Sequence, residues 1–270
     1  MEPFYKQHGA VDDACGVIVD VDITTGQDSE GRQLPDQIKR IEENTGMEIK
    51  TLSADACYAH GKNYEHLEDK GIDAIIPSQK ENSNPKRLPI RLFKYDAKNK
   101  IVKCPGGKIL TCACHHENGS IYRARNKDCK HCSLRKRCIS ESAKVRTIKI
   151  NPGYESLLRA RRRHREPDTK FRETYGRHRY QVEGMHGEAK TQHGLRRAVR
   201  RGLSNVAIQA YLTAAVINLK RLATYAGGFG AIIRSYFECI CIYLAIQRPW
   251  EKVREKIRSQ PFLEKLATAA

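Results

Sequence analysis

Residues 47–77 read MEIKTLSADACYAHGKNYEHLEDKGIDAIIP. Met47 to Tyr58 reads as a buried strand ending at Asp55. Lys62 to Ile72 reads as a helix with Gly71 as its stop, and Asp73 to Pro77 as a further short strand. Upstream, residues 4–26 alternate as a hairpin with its turn at Asp12-Asp13. In its second arm Val17, Val19, Val21 and Ile23 share one face, and Asp20 and Asp22 the other. Gly26 to Glu30 is a loop, and Leu34 to Asn44 is an amphipathic helix stopped at Gly46. Strands alternating with helices in this order predict an α/β fold with a partly parallel sheet.

Downstream the character changes twice. Residues 78–151 are polar and Lys-rich, are expected to be rich in loops, and hold six of the ten cysteines. They read as an insertion into the core. From residue 152 the pattern is helical and basic, with Val206 to Ala223 apolar enough for a core helix. Four segments are therefore expected: 1–77, 78–151, 152–224 and a helical tail at 225–270. The most apolar stretch, Ala231 to Ile246, carries Arg234 and Glu238 and is shorter than a membrane span, so it is expected to be buried rather than inserted in a bilayer.

Charge narrows the class of partner. The chain of 270 residues carries 49 Lys and Arg against 31 Asp and Glu, a net charge of +18. The excess is local: between Arg159 and Arg201 there are 14 basic residues against 5 acidic ones. A polyanion fits this better than a small neutral substrate, although a solvated basic face is the plainer alternative. The opening MEPFYKQHGAVDD has no apolar core of a secretory signal, so a cytoplasmic, nucleoid-associated protein with reduced cysteines is expected.

Two constellations could carry chemistry. In RHRYQVEGMHGEAKTQHGLRR, Arg179, Glu183 and Lys190 fall on one helical face, at about 3.6 residues per turn. Glu183 is the lone acid there, and with Asp55 it could hold Mg²⁺ (or Mn²⁺) through hard oxygen ligands. Arg179 and Lys190 would then contact phosphates, as would Arg196, Arg197, Arg200 and Arg201. The structural alternatives are plain: Asp55 as a helix N-cap, and Arg179–Glu183 as a surface ion pair. His186, one turn beyond Glu183, could lie near the metal. The second constellation is Cys104 in CPGGK with Cys129, Cys132 and Cys138 in DCKHCSLRKRC. The Cys-x2-Cys knuckle and a separated pair could bind Zn²⁺ tetrahedrally, with Cys112 and Cys114 as competitors. In so polar a segment, zinc could supply folding energy.

The order SADACYAHGKNYEHLEDKGIDAIIP, a cysteine-bearing insertion, then RYQVEGMHGEAKTQHGLRRAVRRGL and INLKRL resembles the DDE transposases of bacterial insertion sequences, the IS4-like and related groups. The resemblance spans about residues 4–223. Arg179, Glu183 and Lys190 match the family's Arg-x3-Glu-x6-Lys signature, and ADACY resembles its second acidic motif, with Cys57 where Gly is common. Gly176 stands where the family usually has Tyr, with Tyr175 adjacent. The resemblance implies an RNase H-like mixed sheet flanked by helices, and metal-dependent phosphodiester cleavage and strand transfer on element ends and target DNA. It also assigns the hairpin to the second and third core strands. The expectation is thus the C-terminal portion of a catalytic domain, lacking the first core strand and its Asp, truncated and with little strand transfer of its own. The alternative is a non-catalytic, zinc-dependent DNA-binding protein derived from a transposase. A homodimer is compatible with either, and no membrane partner is expected.

Overall fold

The computed structural model describes residues 4–79 and 87–225. The expected tail at 225–270, with the apolar run at 231–246, lies outside the described residues beyond its first position. By internal contacts the chain divides into two units, 1–210 and 211–270.

The first unit opens with an antiparallel hairpin, β1 (Tyr5–Val11) and β2 (Ile18–Thr25). Asp12 closes its turn: the carboxylate accepts from the backbone N–H groups of Ala14, Cys15 and Val17 at 3.0, 2.9 and 2.6 Å. Such Asp-centred turns offer the backbone a local partner where the ladder ends. Helix α1 (Leu34–Thr45) follows, ended by Gly46 in the left-handed conformation at φ 67°. Next come β3 (Thr51–Ser53), α2 (Gly61–Asp69) and β4 (Asp73–Ile75), with β3 and β4 paired in parallel.

The hairpin's two faces have different covers. Gly9 lies opposite Val21, and a Cβ on Gly9 would point at the Met185 methyl in α6 (Thr169–Thr191), 2.7 Å away. His8 and Ala10 lie opposite Asp22 and Asp20, and both of these acids are held by Arg40 of α1. Directly paired residues share a face, so α6 covers one side and α1 the other. This is why Asp20 is buried although the alternation puts it opposite the valine face: its charge is met by the two guanidinium hydrogen bonds, at 3.1 and 3.0 Å.

The expected single mixed sheet takes another form. Among the described residues β1 pairs only with β2 and β3 only with β4, giving two separate two-stranded sheets. Around β3 and β4 a core forms from Leu34, Ile38, Tyr64, Leu67, Ile72 and Ile76, and the Tyr64 hydroxyl donates to the Ile76 carbonyl at 3.0 Å.

The segment expected to be loops is a five-stranded antiparallel sheet: β5 (Lys94–Asp96), β6 (Ile101–Lys103), β7 (Ile109–His116), β8 (Gly119–Arg123) and β9 (Thr147–Ile150), in sequential order. Two short helices, α3 (Asn126–Lys130) and α4 (Arg135–Cys138), sit between β8 and β9. Polar composition hid a core, because its members are spread out: Leu88, Phe93, Val102, Leu110, Tyr122, Ile148, Ile150 and Tyr154. Helix α5 (Tyr154–Arg165) leads back to the first half. Its Arg159 and Ser156 both donate to Glu68 of α2, at 2.5 and 2.6 Å. Arg163 and Lys170 both bind Asp73 of β4, the latter at 2.6 Å, which ties the start of α6 to β4. Asp168 caps α6 by accepting from Phe171 N–H at 2.6 Å.

Helix α7 (Leu203–Tyr225) differs from the core helix expected. Only the stripe Val206, Ala210, Thr213 and Ile217 is buried, while Ile208, Leu212, Leu219 and Leu222 are exposed. Among the described residues no helix is long and apolar enough to cross a membrane.

Candidate active site and cysteine cluster

Between the hairpin and β3 lies a cavity of about 720 Å³, entirely within the first unit. Asp55 reaches it from the end of β3 and Glu183 from α6. The two acids act on common neighbours. Burial holds His178 below the ordinary imidazole value, against the opposing pull of Asp55, Glu183 and Asp13. Burial raises Tyr175, and both Asp55 and Glu183 push it further. Carboxylates from segments more than a hundred residues apart thus share one electrostatic environment.

Each acid also has the structural role set out as its alternative. Asp55 caps the turn Ala56–Tyr58, its Oδ1 accepting from Cys57 N–H at 2.7 Å. Glu183 Oε1 accepts from Arg179 Nε at 3.1 Å, and both side chains are more than two-thirds exposed (68% and 69%). An exposed i,i+4 pair contributes only a few tenths of a kcal/mol and is readily exchanged for another partner. The Cys57 thiol also bonds the Asp55 carboxylate, while the exposure of Glu183 leaves it open to a cation.

Glu30 is the residue sequence reading missed. It starts a short 3-10 turn (Glu30–Arg32), and its carboxylate, that of Asp55 and the Cys57 thiol have ligand atoms all within 4.8 Å of one another. The turns meet closely because Gly31 has no side chain: a Cβ there would lie 2.2 Å from the His60 ring and 2.9 Å from the Cys57 carbonyl. Burial, then the charges of Asp55 and Glu30, push the Cys57 thiol up. At neutral pH the cluster therefore offers carboxylate oxygens and a protonated thiol, a donor set that fits a hard cation such as Mg²⁺ better than a soft one. Sequence offered no sign of it, since Glu30 sits in a loop with no periodicity.

The other basic residues divide by location. Lys190 lies beside His186, and burial together with that charge holds His186 low. His186 lines the cavity, with its ring near Gly9. Asp13 pairs with Arg177 at 2.8 Å, which joins the hairpin turn to α6. Arg196, Arg197, Arg200 and Arg201 are all exposed between α6 and α7, away from the cavity lining.

In the five-stranded region Cys104, Cys129, Cys132 and Cys138 converge. Burial raises the Cys138 thiol, and the neighbouring thiols of Cys129, Cys104 and Cys132 raise it further, against Arg146. A Cβ on Gly106 would lie 3.6 Å from Cys132 Sγ and 3.7 Å from Cys104 Sγ, so the CPGG turn makes a hollow between two sulfurs. Lys108 N–H points at Cys104 Sγ at 3.3 Å. Four thiols with a backbone donor fit a tetrahedral soft-metal site. Cys112 and Cys114 are exposed on β7 and are not among the groups acting on Cys138.

No curated protein and no solved structure matches the chain. Residues 103–223, a little under half of the sequence, match the family described as a transposase DDE domain. The matched span contains the cysteine cluster, the five-stranded region from β7 onward, and α6 with Arg179, Glu183 and Lys190; Asp55 lies outside it. With two acids facing one cavity beside a basic helix, that match supports a DDE transposase function for this chain.

Proposed function

We propose that the chain acts on DNA as a transposase of the IS4-like insertion-sequence type, through Asp55 and Glu183 as carboxylate ligands for Mg²⁺ or Mn²⁺. The observation that carries this reading is the shared cavity of these two acids, one of them within the transposase-matched span. The cation would polarise the scissile phosphate and the attacking oxygen. Asp55 and Glu183 would hold it from opposite elements, with Glu30 next to Asp55. Arg179, released from Glu183, would bind a phosphate oxygen, and Lys190 would position the strand as a point charge. Arg196, Arg197, Arg200 and Arg201 would neutralise backbone phosphates farther along, giving salt-sensitive binding to element ends and target DNA. Zn²⁺ held by Cys104, Cys129, Cys132 and Cys138 would brace the five-stranded region. A cytoplasmic, nucleoid-associated location follows from a DNA substrate.

We expect low turnover from this chain alone, because two acids would hold the cation thinly and each already has another bond. That state also favours a second reading, a zinc-dependent DNA-binding protein without cleavage. Supercoiled plasmid incubated with Mn²⁺ separates the two. Weak nicking lost in Glu183→Gln supports catalysis. Salt-sensitive binding with no nicking in either form supports the binding protein. Robust cutting lost in Glu183→Gln would overturn the impaired state.

A further inference from the structure

The five-stranded sheet has one face on its core and one in solvent, and the solvent face carries an unusual pattern of charge. The register separates the two. Tyr95, Val102, Leu110, Tyr122 and Ile148 fall on the side that builds the core. Directly paired residues share a face, so Lys94, Lys103 and Ile109 form one row on the other side. Asp96, Ile101, Thr111, Arg123 and Thr147 form the next row, and Ile121 with Lys149 lies in a third. Lys94, Lys103, Arg123 and Lys149 are all exposed.

Two features set these cations apart from an ordinary solvated surface. Lysines on edge strands block unwanted pairing, which accounts for Lys94 on β5 and Lys149 on β9. Lys103 and Arg123 stand on interior strands, where no edge needs blocking. Lys94 also lies directly opposite Lys103, and like charges so placed weaken a ladder unless an anion comes between them. Acids of the chain do not fill that role. From Lys94 to Lys149 there are 15 basic residues against 4 acidic ones. Asp96, the one acid in these rows, keeps its carboxylate on Asn99 at 2.8 and 3.1 Å, and Lys103 is the weakest of the influences holding it low. Asp128 is paired with Arg125 at 2.8 Å.

We propose that this face is a second DNA-binding surface, separate from the cavity, which holds duplex DNA by its phosphates. The rest of the face selects that partner. Its floor is Ile101, Ile109, Thr111, Ile121 and Thr147, short branched side chains beyond which the longer cations extend. None of the three rows holds an aromatic ring on which an unpaired base could stack, so a duplex fits better than a single strand. Five strands at about 4.8 Å spacing span roughly 19 Å, wider than the ~12 Å major groove. The sheet therefore lies across the backbone, and its contacts are to phosphates and carry no base sequence. That the duplex is element or target DNA rests on the proposed transposase reading, whereas the binding itself rests on the face alone.

The test uses the full chain without added Mg²⁺ or Mn²⁺, so its outcome is independent of cleavage. Arg196, Arg197, Arg200 and Arg201 are first replaced by Gln, which leaves the sheet face to carry the binding. The probe is a fluorescent duplex of about 20 base pairs and mixed sequence, with one of its strands alone as the comparison. Saturable duplex binding is expected, with log K falling against log salt at a slope of about −3.6 for four phosphate contacts. Lys103→Gln with Arg123→Gln should weaken it at least ~10-fold and reduce the slope by about 1.8. The melting temperature should stay unchanged or rise, because the repulsion between Lys94 and Lys103 is gone. Lys39→Gln with Lys50→Gln removes the same charge from exposed sites elsewhere and should change binding less than ~2-fold. Thr111→Lys adds a cation beside Arg123 and should tighten binding about threefold, a gain that no loss of folding can imitate. No duplex binding, equal losses in the two double variants, or tighter binding of the single strand would overturn the proposal. Face-dependent binding by a chain that never nicks plasmid would sink the transposase reading and leave this surface standing. Nicking that needs Glu183, with duplex binding unmoved by Lys103→Gln and Arg123→Gln, would do the reverse.

Discussion

The two sheet regions of this chain solve the same problem in opposite ways. In β5–β9 every strand pairs with its sequence neighbour, and the sheet is backed by a core that runs from Leu88 to Tyr154. In β1–β4 the strands stop at two pairs, and the space between them holds both candidate catalytic acids. One region spends its backbone groups on itself, and the other leaves edges and carboxylates available. On the proposed reading, catalysis belongs to the region whose ladder is incomplete and metal bracing to the region whose ladder is closed.

Removing metal from the laddered region should have the largest effect. If Zn²⁺ joins its four thiols, chelation or Cys132→Ser should lower the melting temperature on the order of 10 °C, since structural zinc contributes several kcal/mol. Metal analysis should find zinc in the purified chain and less of it in the variant. A zinc-free protein with an unchanged melt would show that the sheet stands on its apolar core alone.

The open-edged region should depend instead on charged ties between elements. Asp73 is raised by burial, but the hydrogen bonds from Arg163 and Lys170 outweigh this and hold it low. Asp73→Asn should cost roughly 1–2 kcal/mol at neutral pH, discounted for its partial exposure. For the native carboxylate the contribution is complete above the ordinary Asp value and is lost as pH falls through its lowered one. Urea melts from pH 7 to pH 3 check this, and an Asp73→Asn protein with the same pH profile as the parent would contradict it.

A smaller effect should come from the histidines around the cavity. His8, His178 and His186 are each held below 6.5, chiefly by burial. The unfolded chain then binds more protons than the folded one, so stability is lost as pH falls below about 6.5 through their folded values. His186→Gln should flatten that slope without moving the melt at pH 8. An unchanged slope would place the loss elsewhere.

Local signals in the sequence located much of the first half. Gly46 and Gly71 end helices, Asp12 shapes a turn, and the spacing of Arg179, Glu183 and Lys190 fits a helix that the structure also has. What stayed hidden depends on contacts distant along the chain. In β7 only Leu110 is buried, so alternation gave little sign of a strand. Its sheet's core is assembled from residues as far apart as Leu88 and Tyr154. Glu30 meets Asp55 only because two short turns stack where Gly31 admits His60. Whether β1 and β3 share a sheet is likewise a matter of ladders, which no local pattern encodes.

The central claim is that Asp55 and Glu183 form one cation site in the open-edged region, and Mn²⁺ titration tests it most directly. Asp55→Asn suits the purpose because Asn caps a turn as well as Asp does, so lost binding would not reflect lost folding. The account predicts saturable Mn²⁺ binding weakened at least ~10-fold by either Asp55→Asn or Glu183→Gln, and unaffected by Cys132→Ser. Equal binding by the parent and both carboxylate variants would contradict it.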